Sequence, residues 1–154
     1  MLCEIIMGKV MIRMKKSGIR TYSELIKLDT FEKRFEYLKV NGKVGEDTFG
    51  FDRYLNQVFY RSKEWKHIRD QIIFRDNGCD LGVEGYDIYG KIIIHHMNPI
   101  VIDDIRHNSE FLLDPEYLIC TTLSTHNAIH YGDYNLIDSS PIERKLNDTC
   151  PWKH

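Results

Sequence analysis

The stretch "KIIIHHMNPI", residues 91–100, decides how this chain is read. Its β-branched run predicts a strand over 91–96 that ends in two adjacent histidines, His95 and His96, ahead of an Asn98-Pro99 turn. Neighbouring residues on a strand point to opposite faces. The pair therefore has two readings: one ring buried and one exposed with no common purpose, or two rings serving different parts of one site. Further along, "EYLICTT" (116–122) reads as a second strand, with a loop from Met97 to about Asn108 between the two. "STHNAIHYG" (124–132) reads as a short helix, capped by Ser124 or Thr125 and closed by Gly132.

That helix carries His126 and His130 in an H-x-x-x-H spacing. Positions i and i+4 share a helix face, with Cβ atoms about 6 Å apart, which suits two imidazoles to one metal ion. A third ligand has to come from elsewhere, and a strand ending in His95-His96 and packed on this helix offers one.

Upstream, "SKEWKHIRDQIIFRD" (62–76) predicts the clearest helix, capped by Ser62, with Trp65, Ile68, Ile72 and Ile73 along its apolar side. "TYSELIKLDTFEKRFEYLKV" (21–40) has helical spacing, with Thr21 or Ser23 as a cap and a break at Asp29-Thr30. Glycines mark 41–50 and 77–90 as loops or turns. The organisation expected is an N-terminal extension over 1–50, helical from about 21, a central domain over 51–132 and a polar tail over 133–154.

Composition narrows the class. With 42% hydrophobic and 29% charged residues among 154, the chain is an ordinary globular one. No run reaches about 18 apolar residues, and Glu4, Lys9 and Arg13 interrupt the only apolar N-terminal stretch, so a cytoplasmic protein without membrane partner is expected. The four cysteines, Cys3, Cys79, Cys120 and Cys150, form no CxxC pair, and free thiols are expected. A net charge of −2 exerts no global pull on nucleic acid. Local positive charge gathers on Arg53, Arg61, Lys63, Lys66, Arg69 and Arg75, with Lys91 at the start of the strand. These residues either neutralise phosphates or form a solvated helix face.

Taken together, "HHMNPI" followed by "YLICTTLSTHNAIHYG" resembles the HNH, or ββα-metal (His-Me finger), endonuclease family over roughly residues 59–132. The rhythm of Glu64, Trp65, Ile68, Arg69, Ile72, Arg75 and Asp76 is similar to the helix that precedes the motif. The wider chain, to the tail "NDTCPWK", resembles small HNH proteins of phages and prophages. The resemblance implies an α+β fold with a ββα-metal core. It implies a DNA endonuclease that uses one divalent ion (Mg, Mn, Zn or Ni) and leaves 5′-phosphate and 3′-hydroxyl ends. His95, His126 and His130 would be the metal ligands, and His96 the general base, since an imidazole titrates near neutrality. DNA contacts would fall to Arg61, Lys66, Arg69, Arg75 and Lys91, and to Asn127 on a helix near the minor groove. Phage DNA-packaging components are the implied protein partners.

Two departures bear on that picture. The family's middle Asn falls on Tyr117, whose phenol cannot make the paired donor–acceptor bridge of an amide; Asn108, Asp114 and Glu116 are the neighbouring substitutes. Many phage members bind a structural zinc through two CxxC pairs, but the corresponding positions here are Cys79, Gly82, Thr122 and Thr125, so no structural zinc is expected. Tyr117 gives weight to a rival class: a metal-stabilised DNA- or protein-binding module without turnover.

Overall fold

Hydroxyl side chains set where helices begin. In the computed structural model, which describes residues 18–40, 53–83 and 86–137 (backbone alone for 53–56), Thr21 caps α1 (Tyr22–Leu25) and Thr30 caps α2 (Phe31–Leu38). Ser62 caps α4 (Lys63–Arg75), which follows α3 (Arg53–Arg61), and Thr122 caps α7 (Leu123–Tyr131). In each case the side-chain oxygen accepts a backbone N–H that the first helical turn leaves without a partner. The cap of α7 is thus Thr122, earlier than the Ser124 or Thr125 expected, because Thr122 alone is extended and aimed at Thr125 N. Gly132 ends α7 in the left-handed region at φ 66°, where a Cβ would be strained. The expectations for residues 1–17, for the glycine-rich loop 41–50, for the tail beyond 137, and for Cys3 and Cys150 lie outside the described residues.

Among the described residues the architecture is mixed α+β, with seven α-helices and two small antiparallel sheets. One sheet pairs β1 (Cys79–Asp80) with β2 (Tyr86–Asp87). The other pairs β3 (Ile93–His96) with β4 (Leu118–Thr121), His95 opposite Ile119 and His96 opposite Leu118. The segment between β3 and β4 is not the plain loop expected. It folds into α5 (Ile102–Arg106), α6 (Glu110–Leu113) and a 3-10 turn at Pro115–Tyr117. Asp104 stabilises this connection. It is buried rather than a solvated loop acid, and its carboxylate accepts the Val101 N–H at 2.8 Å.

The β3–β4 ladder separates two cores. Ile119 and Met97 pack with Leu25, Leu38 and Ile129, so α1 and α2 share a core with α7 on one face. Leu118 and Cys120 pack with Trp65 and Ile72 of α4 on the other, flanked by Ile94 and Ile92. The period-2 alternation of β3 and β4 sorts their side chains between these faces.

Hydrogen bonds from one ion pair, Arg75 with Asp76, fix α4 against β4. Arg75 donates to Asp76 twice, to the Pro115 carbonyl at 2.6 Å and to the Leu118 carbonyl at 2.7 Å, and its guanidinium lies 3.7 Å from the centre of the Tyr22 ring. Asp76 in turn accepts the Cys120 N–H at 2.8 Å. A second carboxylate, Asp80, accepts from Gly82 N at 2.9 Å and Thr122 N at 2.8 Å, tying the β1–β2 hairpin to the start of α7. Thr122 Oγ1 and Thr125 Oγ1 are 3.0 Å apart beside it. A Cβ on Gly82 would meet Thr125 Cγ2 at 2.6 Å, so only glycine lets the hairpin approach this closely.

Candidate metal centre

Strand alternation delivers His95 to the α7 face, and the i, i+4 spacing on α7 delivers His126 and His130 to meet it. One ligand-competent atom from each of the three residues lies within 4.8 Å of the others. Ring centres stand 5.4 Å apart for His95 and His126, 5.2 Å for His95 and His130, and 4.4 Å for His126 and His130. The His95 ring is nearly perpendicular to both helical rings. Residues expected to converge from 35 positions apart in the chain therefore do converge.

The chemistry of this cluster follows from its burial. His95 is 1% exposed, and its Nε2 is a buried polar atom with no hydrogen-bond partner. Leaving such an atom unsatisfied costs about 1–3 kcal/mol. This orphaned nitrogen, on a ring of the three-imidazole cluster, is the observation that fits the residues to a metal ion. Burial drives His95 well below the usual histidine range, helped by His130 and His126. Burial also lowers His130 to about 4, with His126 adding to the effect, and lowers His126 against an opposing hydrogen bond from Asn127. All three imidazoles are neutral at pH 7, the form that donates a lone pair to metal. His126 Nδ1 stands 3.4 Å from Asn127 Oδ1. An amide oxygen only accepts, so this contact places the His126 proton on Nδ1 and frees Nε2. The site thereby gives Asn127 a use that spacing alone does not reveal.

His96 lies on the other face. Its ring stacks on Trp65, with centroids 5.4 Å apart and an angle of 19°, and approaches Phe59 at 6.3 Å. Its Nε2 is 3.2 Å from the Leu112 carbonyl oxygen. A carbonyl cannot donate, so Nε2 carries the ring proton and Nδ1 keeps the lone pair. Burial lowers His96 to about 4, against the raising effects of the Leu112 carbonyl and Asp104, while His126 adds a smaller lowering. This differs from the near-neutral value expected for the residue, and the aromatic wall of Trp65 and Phe59 is the cause.

The remaining sequence candidates divide. Arg61, Lys66 and Lys91 are exposed, and Arg69 is partly exposed beside Asp70 at 3.5 Å. Arg75 differs from these: its guanidinium donates to two internal carbonyls and to Asp76, and its side chain is 22% exposed. Asn98, readable as a simple turn residue, is 9% exposed and makes two 2.9 Å hydrogen bonds to the backbone of Arg20. Tyr117, at the middle-Asn position, contributes its backbone carbonyl to Met97 N at 3.0 Å, while its ring packs on Phe111. Neither Asp114 nor Glu116 bridges the strands: Asp114 caps the 3-10 turn and Glu116 accepts from Ser23 N. No helix among the described residues is long and apolar enough to cross a membrane. No family model matches the chain, and neither a curated protein nor a solved structure matches it.

Proposed function

We propose that this chain is a divalent-metal-dependent DNA endonuclease of the HNH, ββα-metal type, of phage origin and acting in the host cytoplasm. The ββα core of this reading consists of β3, β4 and α7. The observation that carries it is the partnerless His95 Nε2 within a three-imidazole cluster. His95, His126 and His130 hold the ion, and nitrogen donors favour Zn, Ni, Co or Mn over Mg. When bound, the ion supplies Lewis acidity to the scissile phosphate and stabilises the leaving oxygen.

The chain's own groups supply the rest. His96 stands next to a ligand on the same strand, its tautomer is set by the Leu112 carbonyl, and Nδ1 is the nitrogen that takes a proton from water. Arg61, Lys66, Arg69 and Lys91 hold the phosphate backbone without reading bases. The test uses supercoiled plasmid with Mn, Zn, Ni or Mg, with and without chelator. Wild type should cut in a chelator-sensitive way, and His96→Ala should cut about 10²–10⁴-fold more slowly while still binding the ion. Cutting undiminished by His96→Ala removes His96 as the base.

A second reading is favoured by one observation, the stacking of His96 on Trp65 with its low proton affinity. In this reading the chain is a metal-stabilised DNA- or protein-binding module of a phage that does not turn over. Stoichiometric ion uptake and DNA binding with no cleavage under any ion would select it.

A further inference from the structure

Hydrogen bonds join the strand that bears His95 to the helix that bears His130 by way of the N-terminal helices. Three residues past His95, the Asn98 amide bridges the backbone of Arg20, accepting from Arg20 N and donating to Arg20 O at 2.9 Å each. The Arg20 guanidinium donates to the Tyr37 carbonyl at 2.7 Å and the Lys39 carbonyl at 3.0 Å, just past the end of α2. The next residue, Val40, donates its N–H to the Ile129 carbonyl at 3.0 Å. Ile129 is in the last turn of α7, where carbonyls lack helical partners, and it precedes His130. Leu25, Leu38, Met97, Ile119 and Ile129 form one core cluster, with Tyr37 and Val40 of this circuit packed against it.

We propose that Asn98 and Arg20 are positioning residues for the metal centre, forming a clasp that sets the distance between the strand-borne and helix-borne imidazoles. This rests on the metal-site reading and adds to it: residues 18–40 become part of the site's support. The side-chain amide matters because it donates and accepts at once. A carboxylate at position 98 would still accept from Arg20 N but would set oxygen against the Arg20 carbonyl.

The probe is Zn²⁺ alone, in competition with a chromophoric chelator on the full chain. Asn98→Asp should bind Zn²⁺ about 10- to 100-fold more weakly, the range for residues that orient metal ligands. Arg20→Gln, which keeps the backbone bridge and loses the guanidinium bonds, should weaken binding in the same direction. Ile72→Val, in α4 and on the far face of the β3–β4 ladder, serves as the reference: it should lower the melting temperature yet bind as wild type. Equal affinity for Asn98→Asp and Ile72→Val overturns the clasp and leaves the metal centre intact; no Zn²⁺ uptake by wild type overturns both. Amide exchange on the wild type decides the matter where a variant does not fold. By linkage, Zn²⁺ should slow exchange at Arg20 N–H and Val40 N–H. Unchanged exchange at both, with Zn²⁺ bound, overturns the proposal.

Discussion

The two faces of the β3–β4 ladder are built from one strand pair and solve opposite problems. On the α7 face, three histidines meet, one of them with an unpaired ring nitrogen, and the surrounding structure is held by hydrogen bonds to Asn98, Arg20 and Val40. On the α4 face, Trp65, Ile72, Leu118 and Cys120 make a largely apolar core, and the imidazole of His96 is stacked and hydrogen-bonded. The first face holds the groups suited to a ligand; the second holds the strand still. Adjacent histidines can thus serve one site only if the rigid face keeps His96 oriented while the other stays free to accept an ion.

The largest effect that would sharpen this contrast is Trp65→Ala. It should cost about 3–5 kcal/mol in urea unfolding, by cavity and lost contact area, while the folded fraction keeps its metal affinity. A variant that loses affinity in proportion would show that the faces are not separable. Next is Asp80→Asn, which exchanges one acceptor oxygen for a donor facing Gly82 N or Thr122 N. It should cost about 1–3 kcal/mol, read as a lower urea midpoint.

Acid should load both faces by protonation. His96 and His130 have folded values near 4, below an unfolded value of about 6.5. Depressed histidines bind fewer protons in the folded state, so stability is full above pH 6.5 and falls as pH drops toward 4. Metal-free protein should melt progressively lower across that window, and His130→Gln should flatten the fall. A melting temperature independent of pH there would contradict the burial described. The smallest effect concerns DNA: Lys66→Ala and Arg69→Ala should each reduce the salt slope of binding by about 1, with folding unchanged. Arg75→Ala should instead destabilise the fold, since it removes four internal hydrogen bonds.

Local signals in the chain proved readable where local forces decide. Ser62 caps its helix as expected, Thr21 rather than Ser23 caps α1, the break at Asp29-Thr30 falls where α2 begins, and α4 and β3 lie within the stretches expected. His126 and His130 share a face because helix geometry leaves no choice. What could not be read depends on partners far along the chain. The Asn98–Arg20 bridge spans 78 residues, Arg75 reaches Leu118 across 43, and Asp76 reaches Cys120 across 44. Nothing in the spacing of Arg75 marks it as an internal brace rather than a phosphate contact. The burial of His96 likewise comes from Trp65 and Phe59 on other elements.

The oxygen-and-amide knot at Asp80, Gly82, Thr122 and Thr125 joins the β1–β2 hairpin to the start of α7. Its Cys79 neighbour is paired with Asp87, which together with burial keeps that thiol protonated. The bonds described at this corner run between oxygens and backbone amides, groups that a chelator does not remove. Amide exchange at Gly82 and Thr122 therefore supplies an internal reference when divalent ions are stripped from the histidine cluster.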